Sequence, residues 1–527
     1  MFLIMSAAYI DQELQSEFGR IPPSFLPLGN RRLFLHQIKL APKGYKVYLS
    51  LPESYQISKT DKKLLESHNV EVVKLPDELS LGQSLISALN LSEHKFNSPV
   101  HVLFGDTLFT KLPEGENFAS LSKVDKSYHW AVVKNNEANI DWVREGSRSL
   151  NVDNCEIVNG YFNFSKPREL IRSLTKTNWD FLDGLNHYKK NSNFRGEYSD
   201  DWLDFGHVNT YYSSKAHFTT QRAFNELKIA SSYIEKSSSR DIKIAAEANW
   251  FFSIPYSIRY YTPQYLGSNH HDGRTSYKLE YLHNTALNEL YVFSELPNKV
   301  WSHIIDECIE FLKACTEEKA PDEVPKNNLE ELFVTKTSVR LAEYCKGRRI
   351  SLDQEWSYNG DKVTLNELLS LSNENLPSDS NTQTLLHGDF CFSNILYDFR
   401  SNRIKAIDPR GITPEGEFSI YGNVYYDIAK LAHSIIGLYD WIIAGYYFVN
   451  IEDKCIELEI DNNDLQEVQS YFVDRVYQEF SITEPQLIAM QIQLFLSMLP
   501  LHSDDISRQD ALFSNAFRLY EKLKNIL

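Results

Sequence analysis

Three side chains that can bind cations or accept protons stand close together late in the chain. Asp389 and Asn394 lie in "LLHGDFCFSNILYD" (385–398), and Asp408 lies in "IKAIDPRG" (404–411). Asn394 follows Asp389 by five positions and Asp408 follows it by nineteen. Gly, Asp, Ser and Asn are ordinary turn formers, so the first segment alone also reads as a surface turn. The flanks argue for more. Apolar Leu385, Leu386, Ile395 and Leu396 close both sides, and strand-like 404–407 delivers Asp408 after the turn "DFRSNR". Two carboxylates and an amide on loops between short strands suit a hard divalent cation and removal of a hydroxyl proton.

Phosphoryl transfer asks for that set. It needs a base for the hydroxyl proton, oxygen ligands for magnesium and a cation on the nucleotide phosphates. In protein kinases the base Asp precedes a metal-binding Asn by five positions, and a second metal-binding Asp follows. Upstream, "SSYIEKSSS" (231–239) puts Lys236 near a strand end, and "DIKIAAEANWFF" (241–252) puts Glu247 on a helix. A lysine steadied by a helix glutamate presents its ammonium to phosphates. The competing reading is a solvated strand-end lysine and an exposed helix glutamate. "KLEYLHNTALNELY" (278–291) is similar to a kinase hinge, in which backbone groups around Glu280 and Leu282 hold adenine.

On "HGDFCFSNIL", "IDPRG" and "YYDIAKLAHSI" (425–435), residues 218–527 resemble the aminoglycoside phosphotransferase and choline kinase family. The resemblance implies a bilobal protein-kinase-like α+β fold, with an N-lobe at about 218–283 and a helical C-lobe at about 284–527. It implies Asp389 as catalytic base, Asn394 and Asp408 as magnesium ligands, and Lys236 and Glu247 as the nucleotide-binding pair. Asp427 either orders the catalytic loop or caps a helix. His387 is expected to brace the loop, and Cys391 to be buried and inert. Asn423 departs from the family, where many members carry Asp.

The first half carries a second set of carboxylates. "HVLFGDTLF" (101–109) puts Asp106 after Gly105 at a strand end, and "DDWLDFGHVNTYY" (200–212) puts Asp204 between Trp202 and Gly206. Strand candidates at 1–7, 45–51, 70–74, 99–104 and 128–133 alternate with helical patterns near 31–40, 60–68 and 81–92. This alternation predicts a largely parallel sheet flanked by helices, with ligands beyond the strand ends. Together with "MFLIMSAAYIDQELQSEFGRIPPSFLPLGNRRLF", "LGQSLISAL" (81–89) and "VNGYFNFSKPRELIRSL" (158–174), these segments resemble the sugar-1-phosphate nucleotidyltransferases over residues 1–217. By that resemblance Asp106 and Asp204 hold magnesium and Arg20 is the catalytic cation, with Arg31 or Arg32 as alternative sources of the positive charge. Two departures stand out: no glycine lies between Ala8 and Gly19, and Ser24 occupies the position of the family's catalytic lysine.

Composition narrows the classes. The chain has 527 residues and a formal charge of −17, which argues against a general nucleic-acid binder. Its six cysteines (155, 308, 315, 345, 391 and 455) show no Cys-x-x-Cys spacing, so neither a zinc site nor a disulfide framework is expected. "MFLIMSAAY" lacks a basic flank and is followed at once by Asp11, Gln12 and Glu13, so a buried first strand is expected rather than a leader. No apolar run of about 20 residues suggests a membrane span. Strand-like segments are expected at 227–236 and 256–261, a helix near 241–253, loops at 316–330 and 371–383, and otherwise helices from about 285.

The combined expectation is an α/β nucleotidyltransferase-like domain with a Rossmann-like mixed sheet, followed by the bilobal phosphotransferase. Such a chain is a cytoplasmic, bifunctional kinase and nucleotidyltransferase acting on a sugar, a polyol or their phosphates. It would use ATP, Mg²⁺ and a second NTP (CTP, GTP, UTP or dTTP) to make an activated donor for capsule or lipopolysaccharide assembly. A homo-oligomer is compatible with this reading. The alternative is a kinase acting on a sugar or a choline-like alcohol, whose first domain only binds ligand or dimerises. An antibiotic-modifying phosphotransferase and a catalytically silent scaffold are two further readings.

Overall fold

The computed structural model describes residues 1–92, 96, 98–123, 132–136, 139–143, 156–222, 227–230, 232–238, 242–271, 274–324, 329–378, 383–413, 415–462 and 465–527. The chain divides into two compact units, Met1–Phe218 and Thr219–Leu527. Residues 128–131 of the expected strand 128–133, residues 325–328 of the expected loop 316–330, and Cys155 lie outside the described residues.

The first unit is built on a mixed sheet. Phe2–Met5 pairs in parallel with Val47–Pro52 on one side and Val100–Phe104 on the other, and Val70–Leu75 extends the parallel part. Beyond Val100–Phe104 the sheet turns antiparallel, through Glu156–Phe164 and then Phe118–Lys123. All four residues of Phe2–Met5 are buried, as a central strand covered on both faces requires. The opening apolar run is therefore sheet core. Helices Leu81–Leu91, Pro167–Lys176 and Phe181–Asn191 cover one face, with Leu85, Leu89, Leu170 and Leu185 packed against Leu3, Val102, Phe162 and Phe164. Ser80 and Gln83 form a reciprocal capping box that starts Leu81–Leu91. A separate two-stranded pair, Thr107–Phe109 with Trp202–Asp204, sets Thr107 opposite Asp204.

In the second unit, strands Leu227–Ile229, Tyr233–Ser238, Arg274–Glu280 and Tyr265–His271 form a four-stranded antiparallel sheet. Helix Ile242–Ser253 packs on it and buries Ala246, Ala248, Trp250 and Phe251. Residues 281–284 lead through Thr285–Ala286 into a helical region. Its longest members are Asn298–Glu317, Lys336–Arg348, Gln466–Phe480, Glu484–Met498 and Ile506–Ile526. Hairpin Ile395–Asp398 with Arg403–Ala406 links the two motifs seen in the sequence.

Three expectations are corrected. Segment 256–261 is not a strand: Pro255 leads into the short helix Tyr256–Arg259, and the strand begins later, at Tyr265. The helical half also contains a four-stranded sheet, Asp361–Thr364, Glu355–Tyr358, Cys455–Ile460 and Tyr447–Glu452. Its outer strand alternates half-buried and exposed residues, a pattern that exposes one face and carries little apolar signal. Finally, helix Leu365–Glu374 runs into the segment expected as a loop from 371, held at its start by a Thr364–Glu367 capping box.

Candidate active sites

Of the second unit's predicted residues, Glu247, Asp389 and Asp408 line one cavity of about 530 Å³, together with Lys430 and others. Asp389 follows Gly388, whose φ of +83° suits glycine, and a Cβ there would stand 2.7 Å from Cβ of Arg410. Asp427, on helix Val424–Ile435, accepts hydrogen bonds from the amides of His387 (2.7 Å) and Gly388 (2.8 Å). The helix is capped by Asn423 instead, whose side chain accepts from the Tyr425 amide at 3.0 Å. Of the two roles open to Asp427, its contacts are those of loop ordering. Asn423 departs from the family residue and still supplies a cap.

His387 is buried and braces the loop. Its Nε2 lies 2.9 Å from the Ile407 carbonyl oxygen, and the Asp389 amide donates toward Nδ1 at 3.3 Å. Burial pushes the imidazole down to about 4, so the ring is neutral near pH 7. Cys391 is buried too, and burial pushes its thiol up to about 12. The Trp250 indole donates to the Leu386 carbonyl at 2.8 Å, tying helix Ile242–Ser253 to the loop.

Burial disfavours charge on Asp389, yet the Lys430 ammonium 2.7 Å away overrides it and holds the carboxyl below its ordinary value. Asn394 donates Nδ2 to the Asp389 carbonyl oxygen (2.9 Å) and to its carboxylate (3.0 Å). That use of the amide nitrogen leaves Oδ1, which accepts a long 3.4 Å hydrogen bond from the Ser393 hydroxyl, as the atom able to face a cation. Asp408 is a non-glycine residue at φ +58°, a sparsely populated conformation often found at functional loops. Its carboxylate meets the ammonium of Lys236, which also lies 3.3 Å from Glu247. Tyr277 donates to the same Glu247 oxygen at 2.5 Å. Burial opposes the charge on Lys236, but the two carboxylates outweigh it and raise its proton affinity. The predicted lysine and glutamate are thus an ion pair.

Glu280 is engaged in the sheet through its amide, which donates to the Gln264 carbonyl at 2.9 Å. Leu282 falls in the connection between strand Arg274–Glu280 and Thr285–Ala286. Neither lines the cavity around Asp389.

In the first unit Asp106 and Asp204 converge. A Cβ at Gly206 would stand 2.9 Å from Oδ2 of Asp106 and 3.3 Å from Oδ1 of Asp204. Both line a cavity of about 400 Å³ with Gly82, Asn159, Trp179 and Trp202. Burial, and then the neighbouring Asp106, pushes Asp204 up to about 7, and burial raises Asp106 also. Oδ2 of Asp204 is buried without a hydrogen-bond partner among the described residues. Two desolvated carboxylates with an unsatisfied oxygen fit a divalent cation.

Arg20 is not brought to these carboxylates' cavity. Its side chain is 60% exposed, sits 3.6 Å from Asp77 and stacks 3.9 Å over Tyr9. Ser24 is buried beside Gly105, with its hydroxyl 3.3 Å from the Gly105 carbonyl oxygen. Arg32 is committed to a buried ion pair with Asp61 at 3.3 Å. No lysine or arginine lines the cavity among the described residues.

Sequence reasoning missed Lys430, Lys336, Arg340 and Arg410. Lys430 had a signal, since it lies three residues after Asp427 and therefore shares a helix face with it. Lys336 and Arg340 sit on a helix no motif marks.

No protein-family model matches the chain, and no curated protein matches it. Solved structures of two kinds are similar to it. One is the inositol-1-phosphate CTP transferase from T. maritima, at 17% identity and TM-score 0.32, covering 41% of this chain and 96% of that one. The others are phosphotransferases. An aminoglycoside phosphotransferase in a ternary complex with ADP and hygromycin B shares 14% identity at TM-score 0.36, covering 58% of this chain and 97% of that one. A glucosamine kinase in complex with glucosamine, ADP and inorganic phosphate shares 11% identity at TM-score 0.32, covering 56% and 78%. The neighbours are of the two kinds the sequence resembles, and the roles below rest on this chain's own residues.

Proposed function

We propose that the second unit is an ATP-dependent kinase for a hydroxyl of a small molecule. The observation that carries this reading is the convergence of Asp389, Asn394 and Asp408 with the Lys236–Glu247 pair. In the reaction the acceptor oxygen forms a bond to the γ-phosphorus, the bond from that phosphorus to the bridging oxygen breaks, and ADP leaves. Asp389 takes the hydroxyl proton, and Lys236 steadies the nucleotide phosphates. Magnesium, which Asn394 and Asp408 would hold, supplies neutralisation of phosphate charge. Backbone groups around Glu280 and Leu282 would take the adenine.

The first unit is read as the partner nucleotidyltransferase, with Asp106 and Asp204 as its magnesium ligands. Coupling a freshly made phosphate to a nucleotide gives an activated donor, the kind of compound that surface-glycan assembly consumes. A second reading has its own support. With Ser24 buried, Arg20 outside the cavity and no lysine or arginine lining it among the described residues, the first unit would bind ligand without transferring a nucleotidyl group.

Mass spectrometry of the protein with ATP, Mg²⁺, a sugar and polyol panel and each NTP separates the two. A nucleotide-linked product supports the bifunctional reading. A phosphorylated acceptor with every NTP unconsumed supports the kinase alone. No phosphorylated product from any acceptor removes both.

A further inference from the structure

The cavity next to Asp389 is cationic in a chain of formal charge −17. Besides Lys430, which is spent on Asp389, it is lined by Lys336, Arg340 and Arg410. Lys336 donates to the Tyr426 hydroxyl at 3.0 Å, and the Arg410 guanidinium lies 5.5 Å from the centre of the same ring. Arg340 donates to the Ser497 carbonyl at 3.3 Å. Among the described residues, no carboxylate comes within ion-pairing distance of these three.

The grouping affects its members. Burial, with Arg410 and Arg340 nearby, lowers the proton affinity of Lys336 in spite of its bond to Tyr426. The surrounding cations pull the Tyr426 phenol down to about 8, against the effect of burial. Gathering like charges out of water is costly without a counter-charge. The same three side chains line an adjoining cavity of about 730 Å³, together with Thr335, Thr413, Glu331 and Glu415. Neither cavity includes Glu280 or Leu282, so the cluster stands apart from the proposed adenine site.

We propose that the acceptor carries a phosphate or carboxylate group, which Lys336, Arg340 and Arg410 seat so that its hydroxyl faces Asp389. This rests on the kinase reading above. Two guanidinium forks beside an ammonium match the bidentate geometry of such anions. The same field repels a cationic aminoglycoside or choline-like alcohol, and a neutral sugar would leave the cluster unpaired.

The test is calorimetric titration of the full chain, first with AMP-PNP and Mg²⁺. Loss of that binding in Lys236→Ala supports the kinase reading, and its absence from the unaltered protein refutes that reading alone. With the nucleotide analogue saturating, inorganic phosphate and D-glycerate are then titrated separately. At least one binds the unaltered protein, and Arg340→Ala and Lys336→Met each weaken it about tenfold or more while leaving AMP-PNP affinity within about twofold. Which anion binds more tightly distinguishes a phosphate-bearing from a carboxylate-bearing acceptor. Binding of neither anion overturns the proposal. So does weakening of AMP-PNP by the same variants, which would assign the cluster to the nucleotide.

Discussion

The Lys430 ammonium lies 2.7 Å from the Asp389 carboxylate, on the helix whose Asp427 holds the loop carrying that carboxylate. One helix therefore sets both the position and the charge of the proposed base. Burial alone would raise the Asp389 pKa, and Lys430 reverses that effect. In Lys430→Met the reversal is lost, Asp389 holds its proton to higher pH, and the acid limb of the pH–rate profile moves to higher pH. An unmoved limb would show that Lys430 does not tune the base.

Asp427 replaces water for two buried amides. Burial pushes the Asp427 carboxyl up to about 7, so it is only partly ionised near neutral pH, and leaving its buried amide donors unpaired costs on the order of 1–3 kcal/mol. Asp427→Ala is expected to lose about that much in denaturant unfolding of the second unit. Its kcat should fall more than its affinity for nucleotide, because the loop bearing Asp389 loosens while the Lys236–Glu247 pair remains.

Gly411 has φ +62°, and a Cβ on it would stand 2.3 Å from the Ala246 carbonyl oxygen, one residue before Glu247. Gly411→Ala must move helix Ile242–Ser253 or the Asp408 loop, at a cost of about 1–3 kcal/mol. Activity should drop although no proposed catalytic side chain is altered. Unchanged kinetics and unchanged thermal stability would show that the contact is not needed.

The pair Asp106 and Asp204 gives a pH dependence whose sign is fixed. Asp204 titrates near 7 in the folded unit against 3.8 for an ordinary aspartate, so folding favours its protonated form. Stability from this group is complete below about pH 4 and is lost as pH rises toward 7. Magnesium held by the two carboxylates, as proposed, would offset that loss by pairing with their ionised forms. The unfolding temperature of the first unit should therefore rise more with Mg²⁺ at pH 8 than at pH 5.5. Asp204→Asn should abolish the difference.

The legible parts of this chain were those where local pattern and chemistry coincide. Val47–Pro52 and Val70–Leu75 are short β-rich runs, and Leu81–Leu91 follows a capping box, so both kinds of element announce themselves. Asp389, Asn394 and Asp408 were readable because a hairpin holds them at set spacing. Arg20 rests on a motif resemblance alone, and its pairing with Asp77 and Tyr9 depends on a loop conformation that residue types do not encode. The cationic cluster was invisible for another reason. Lys336 and Arg340 meet Arg410 only after some seventy intervening residues have folded, and no local pattern marks a contact made at that separation.

The most direct test of the central claim is transfer of the γ-phosphate of ATP to an acceptor hydroxyl, followed by mass spectrometry for the unaltered protein and for Asp389→Asn. The account predicts a phosphorylated acceptor with the unaltered protein and a rate lower by about 10²-fold or more with the variant. Turnover by Asp389→Asn at a rate near that of the unaltered protein would contradict it.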